Sequence, residues 1–182
     1  MRQTYQYVGP KQIADRSVQS PAGMRVDAPG DILRWVRQTN QELNASRSVT
    51  ATFVVDDSGS LRIADRRSEH VACAGGRPVR SAGEMTFTVT AGTPRVTWVT
   101  NQSSGYCPEP DSWPAVKAAL ERAGIHAPDG FSQELVFRRC VRCGSINIVK
   151  DGIFACGVCS TPLPAEWNFI LENATHSPFS SP

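Results

Sequence analysis

Four cysteines constrain this chain more tightly than any other feature: Cys140-Val-Arg-Cys143 and Cys156-Gly-Val-Cys159, with twelve residues between the pairs. Each Cys-x-x-Cys turn aims two sulfurs at one point, and two such turns can close four thiolates around one metal ion. Gly144 follows the first pair and Gly157 sits inside the second, where backbone freedom helps such turns form. Between them, Ile146–Phe154 reads as two short strands around an Asp151-Gly152 hairpin turn. Four thiolates leave no open coordination position, so the ion implied is a structural Zn2+ rather than a catalytic one. Its binding free energy, about 10–16 kcal/mol in small zinc-finger peptides, is partly folding energy in a segment too small for its own core. A redox role for one pair, or an iron site of the same geometry, is a rarer alternative.

Residues 138–161, taken whole, resemble a four-cysteine zinc ribbon. The other two cysteines, Cys73 and Cys107, stand alone. Four of six cysteines inside one short span favour metal over a disulfide framework. The opening residues, Met1 to Tyr7, lack the apolar run of a secretion signal, and no window approaches the roughly 18 apolar residues of a membrane span. A cytoplasmic location with reduced thiols and no membrane partner is therefore expected. With 182 residues, 40% of them hydrophobic, the chain can bury one core and carry a small appendage. Net charge is +2, and residues 132–182 balance four Lys/Arg against four Asp/Glu. Nucleic acid is thus permitted as a partner but not favoured, since phosphate binding calls for a basic excess.

Tyr5–Val8 begins strand-like, and Pro10, Pro21 and Pro29 make the rest of residues 1–30 an irregular connection. Asp31–Asn44 predicts a helix with Ile32, Trp35, Val36 and Leu43 roughly on one face, Gly30 or Asp31 at the cap, and Asn40 and Asn44 as stopping points. Val49–Val55 is β-branched and aromatic, and Asp56-Asp57-Ser58-Gly59 turns it back into Ser60–Ala64. Glu84–Thr90 alternates, with Met85, Phe87 and Val89 on one face and threonines on the other, and returns as Arg95–Val99. Trp113, Val116, Leu120 and Ala123 mark a second helix, capped by Asp111-Ser112, with Pro114 in its first turn and Gly124 as its stop. Gln133–Phe137 is a further strand running into the cysteines. The expected fold class is α+β: a mainly antiparallel sheet with two or so packed helices, followed by a small C-terminal zinc ribbon. Residues 1–137 form the larger domain, 138–172 the ribbon with its packing segment, and 173–182 a Ser/Pro-rich disordered tail.

Two polar clusters flank the Glu84–Val99 hairpin. The first runs from His70-Val-Ala-Cys73-Ala-Gly75-Gly76-Arg77-Pro78-Val79 to Ala82-Gly83-Glu84, and the second is Asn101-Gln-Ser103-Ser104-Gly105-Tyr106-Cys107-Pro108. His70, Pro78, Val79, Ala82, Gly83 and Glu84, together with Asn101, Ser103, Tyr106 and Pro108, resemble two motifs of one domain family. That family occurs in C-terminal domains of bacterial polymorphic toxins and in plant IQ-type calmodulin-binding proteins. The resemblance covers residues 50–125 and implies a shared fold and a shared pocket. This chain departs from the family at Val71 and Ala72, where the family has serines, and at Cys73, where it has phenylalanine. It departs again at Gly105, where the family has a second histidine, which argues against any two-histidine mechanism.

His70 titrates near neutrality and fits a general acid/base, with Glu84 and Tyr106 as its catalytic companions. Cys73, Arg77, Asn101, Ser103 and Ser104 are the candidates for holding a polar substrate such as a nucleotide or small molecule. Cys73 and Cys107 become nucleophiles only if a basic neighbour lowers their pKa. Against this toxin- or effector-type enzyme stands a non-catalytic adaptor. There the ribbon and Trp167–Leu171 bind protein or nucleic acid, with Arg138, Arg139, Arg142 and Lys150 as a small basic face. The two readings predict different surroundings for His70: an open cleft shared with Glu84 or Tyr106, or burial with the ring satisfied by backbone.

Overall fold

A computed structural model describes residues 3–17 and 19–169. The expected disordered tail at 173–182, and Ile170 and Leu171 of the packing segment, lie outside the described residues. Alternation of apolar side chains builds the centre. β2 (Ser48–Asp56) sends Ala51, Phe53 and Val55 to one face and Val54 to the other, and all four are fully buried. Such a run of β-branched and aromatic residues suits a strand covered on both sides. β3 (Leu61–Asp65) returns beside β2, β4 (Val79–Thr90) lies along its other side, and β5 (Thr93–Thr100) returns from β4. A short β1 (Met24–Val26) completes the order β1-β3-β2-β4-β5, with every pairing antiparallel. β4 begins at Val79 rather than Glu84, because its first residues still register with Val54–Asp56 across a bulge. Tyr5 contributes only an isolated bridge to Val79, so the strand-like start at Tyr5–Val8 is not a strand.

Helices cover both faces. α2 (Pro29–Gln38) and α4 (Trp113–Arg122) bury Ile32, Trp35, Val116 and Leu120 in one layer with Phe53, Met85 and Phe87. α1 (Lys11–Ser17) and α3 (His70–Cys73) bring Ile13, Val71 and Cys73 into the opposite layer with Val54, Ala82 and Tyr106. Each large apolar side chain buried this way contributes about 1.5–3 kcal/mol, and elements as short as α1 and α3 depend on that packing to stay helical. Neither is expected from the sequence, since seven and four residues are too few to display a helical period. α3 is the crossover that takes the chain from β3, on one side of β2, to β4 on the other.

The helix ends differ from expectation for local reasons. Pro29 is the first residue of α2 and Ala28 its cap, while the Asp31 carboxylate accepts from the backbone N–H groups of Asp27 (2.8 Å) and Ala28 (3.0 Å). Asp31 therefore caps by reaching back from inside the first turn. The helix stops at Gln38, with Asn40 in the left-handed region at φ 51°, well short of Asn44. At α4, Ser112 does not cap by its side chain; its hydroxyl lies 2.9 Å from that of Ser81, and a 3-10 turn over Pro110–Ser112 leads in. β6 (Val136–Arg139) and β7 (Ile146–Val149) make a separate two-stranded antiparallel sheet. The hairpin expected around Asp151-Gly152 reduces to one bridge, Lys150 to Ile153, because the partner of β7 is β6.

Candidate metal centre and the His70 cluster

The first Cys-x-x-Cys turn joins β6 to β7. Its Cys140 N–H donates to the Ser145 carbonyl (2.9 Å), and the Gly144 N–H donates back to the Cys140 carbonyl (2.9 Å). The second turn repeats these bonds in register: Cys156 N–H to the Thr161 carbonyl (2.9 Å) and Ser160 N–H to the Cys156 carbonyl (2.9 Å). Gly144 and Ser160 hold the same left-handed position, at φ 73° and 59°. The residue in the second turn that needs this conformation is thus Ser160 and not Gly157, whose φ is not positive. Aligning Cys-Val-Arg-Cys-Gly-Ser with Cys-Gly-Val-Cys-Ser-Thr would have exposed that equivalence.

The four sulfurs all lie within 4.8 Å of one another. The closest pairs cross between the turns, Cys140 to Cys159 and Cys143 to Cys156, each at 3.6 Å. A tetrahedron of Zn–S bonds about 2.3 Å long sets sulfurs roughly 3.8 Å apart, so the four cysteines can hold a metal ion and the spacing is consistent with zinc. Ser145 Oγ sits 3.1 Å from the Cys143 sulfur and 3.3 Å from the Cys156 sulfur. Its hydroxyl is the leading cause that lowers both thiol pKa values, Cys156 to about 5, while Cys140 in the same cluster is pushed up to about 11. Asn147 links the halves, its Oδ1 accepting from the Gly157 N–H at 2.9 Å.

The module is fastened to the main sheet by polar groups with no sequence signature. Arg138 is 5% exposed and forks onto Glu109 (2.7 and 3.2 Å) while also donating to the Ala165 carbonyl. Asn168 exchanges two hydrogen bonds with the backbone of Arg139. Trp167 Nε1 donates to the Cys107 carbonyl at 2.8 Å, its ring meets Tyr5 edge-on, and Phe169 is buried beside Phe137 and Leu135. Trp167 and Phe169 thus pack inward against the main sheet, which takes these two rings out of the partner surface expected at Trp167–Leu171.

His70 begins α3, and its Nε2 lies 3.0 Å from the Gly83 carbonyl oxygen. A carbonyl only accepts, so Nε2 carries a proton; burial of the ring is the main cause that lowers its pKa. Gly83 is itself confined: a Cβ there would collide with the Thr100 carbonyl oxygen of β5. The Ala82-Gly83-Glu84 motif therefore admits a second backbone. Glu84 turns aside to Arg66, 3.1 Å away. Tyr106 is fully buried and donates its hydroxyl to the Arg77 carbonyl at 2.7 Å; the Arg77 side chain is exposed.

Asn101, fully buried, donates to the carbonyls of Pro108 (2.8 Å) and Leu135 (2.7 Å) and accepts from the Leu135 N–H (2.8 Å). Ser103 is buried with its hydroxyl unpartnered, and Ser104 is exposed. Burial pushes the thiols of Cys73 and Cys107 up to about 12, which keeps both protonated at neutral pH. Cys73 borders a cleft of about 430 Å³ between α1 and α3, whose lining includes neither His70 nor Tyr106. At Gly105, where the toxin-type motif carries histidine, the Tyr7 ring fills the side-chain space, 2.6 Å from where a Cβ would stand. The predicted residues thus gather around one hairpin, but their polar atoms meet backbone and one another's neighbours rather than a common opening.

No protein-family model, no curated protein and no solved structure matches this chain.

Proposed function

We propose that the chain is a non-catalytic adaptor in which Zn2+ held by Cys140, Cys143, Cys156 and Cys159 folds a zinc ribbon, and the ribbon docks an apolar surface of another protein. One observation carries this reading. Among the described residues, the large hydrophobic side chains left exposed are Val141, Ile148, Ile153, Phe154 and Val158, every one of them between the first and last of the four cysteines. An isolated exposed valine needs no explanation, but confinement of the whole set to one small module marks an interaction surface. Arg142 and Lys150, exposed in the same stretch, suit a partner with acidic residues beside its apolar patch. The hydrogen bonds that turn His70, Asn101 and Tyr106 onto backbone favour the same reading, with residues 1–137 as a toxin-type scaffold in a cytoplasmic protein and the four-cysteine stretch of 138–172 as its docking part.

The test places a photo-cross-linking residue at Val158 and, as control, at Arg95 on β5. The Val158 position is expected to trap one protein partner and the Arg95 position not. With that partner purified, Val141→Asp plus Val158→Asp is expected to weaken binding at least about tenfold, with the melting temperature unchanged. Equal trapping from both positions, or full affinity in the double variant, refutes docking through the ribbon.

A further inference from the structure

We propose that a second site, in the cleft between the β2–β3 turn, the start of β4 and the length of α4 from Pro114 to Arg122, binds a phosphate monoester, with Arg80 and Arg122 as the phosphate clamp. The cleft has a volume of about 360 Å³, and no residue of the four-cysteine module lines it, so this site is independent of the adaptor reading.

Two guanidinium groups converge there. Arg80 Nη1 lies 2.9 Å, and Arg122 Nη2 3.2 Å, from the point a Cβ on Gly59 would occupy. Gly59 is left-handed at φ 85°, the conformation that selects glycine, and its bare Cα leaves the floor between the arginines open. Among the described residues neither guanidinium forms an ion pair; the arginines that do are Arg25, Arg34, Arg62, Arg66 and Arg138. Arg80 is oriented by its Nη2, which donates to the Asp57 carbonyl, yet its Nε is buried with no acceptor. Two cations at most about 6 Å apart repel each other, and an unused buried donor is a further cost. An anion seated between them removes the repulsion.

The remaining walls define the ligand. Ser112 and Pro114, at the amino end of α4, close the side of the cleft away from Arg122. Pro114 and Ala115 supply apolar surface for an organic group. One carboxylate, Asp111, also lines the cleft; the Tyr5 hydroxyl donates to it at 3.3 Å, and two arginines still leave the site net positive. Two guanidinium groups carry two positive charges, which a phosphate dianion matches and a single carboxylate does not.

Calorimetric titration of the full chain with phenyl phosphate, inorganic phosphate and benzoate decides the matter. Phenyl phosphate is expected to bind with a dissociation constant below about 1 mM, more tightly than inorganic phosphate and much more tightly than benzoate. Arg122→Gln changes an exposed side chain and is expected to weaken phenyl phosphate at least about tenfold, as is Arg80→Gln. Arg95→Gln removes the same charge outside the cleft and is expected to leave affinity unaltered. A thermal melt accompanies each variant, so loss of fold in Arg80→Gln is recognised and the decision then rests on Arg122→Gln. No heat from phenyl phosphate, full affinity in Arg122→Gln, or equal loss in Arg95→Gln overturns the proposal.

Discussion

Asn101 condenses the residue scale. One amide ties Pro108 to Leu135 through both of its polar atoms, in a place with no water access. Asn101→Asp sets a carboxylate oxygen against two carbonyls and is expected to cost about 3 kcal/mol or more, read as a lower urea midpoint at pH 7. His70 makes a pH prediction whose sign follows from its burial. Its folded pKa lies below the ordinary value, so between the two the unfolded chain binds more protons than the folded one. Stability is therefore full above the unfolded pKa and falls as pH drops through it toward the folded value. Melting temperature is expected to decline from pH 7.5 to pH 5, and less steeply in His70→Gln, which carries no titrating ring; parallel profiles would count against it. Sequence singles out both residues by type and position. It cannot say whether a histidine faces a cleft or a carbonyl, because Gly83 is thirteen positions away along the chain.

At the scale of elements, the four-cysteine module is a twofold repetition written in the chain. Each half places a cysteine N–H on a carbonyl five residues ahead and needs one left-handed residue after its second cysteine. Glycine takes that conformation freely at 144, while Ser160 takes it at a cost of about 1 kcal/mol or more. Outside its own hydrogen bonds the module's interior consists of little more than the cysteines, Leu163 and Val149, so an ion held by the four cysteines would stand in for a core. Elemental analysis is expected to find about one zinc per chain, as a four-thiolate site takes a single ion. Chelation is expected to strip hydrogen-exchange protection from β6 and β7 while β2 and β4, buried between two helical layers, keep theirs. Protection of β6 and β7 that survives chelation would show the metal to be dispensable. The cysteine spacing and the strand alternation were legible because they are local. α1 and α3 were not, since their helicity comes from packing against Val54 and Ala82.

For the whole molecule, the Arg138–Glu109 pair joins the segment after Pro108 to the base of the four-cysteine module. Both partners are largely buried, and the guanidinium also holds the Ala165 carbonyl. Glu109→Ala leaves that charge buried without its partner and is expected to cost about 3–5 kcal/mol. Glu109→Ala with Arg138→Met is expected to regain most of the loss, since an apolar pair of similar volume avoids the desolvation penalty. Denaturant midpoints of the two single variants and the double variant form the cycle; simple additivity would show that the pair does not couple the two parts. The same fastening turns Trp167 and Phe169 inward and leaves Val141 and Val158 as the tips available for docking.

The sequence by itself determined which residues can gather a metal, where β2, β3, β5 and the second half of β4 run, and which side chains form the two polar clusters. Those are properties of spacing and period, carried by neighbours along the chain. Only the tertiary structure decided that the four sulfurs converge within reach of one ion, and that the Tyr7 ring takes the space beside Gly105. It also turned His70, Asn101 and Tyr106 onto backbone, and brought Arg80 and Arg122 together over Gly59. Each of these meetings depends on strands and helices distant in sequence packing across one sheet, and no local pattern of residues records which groups that packing brings face to face.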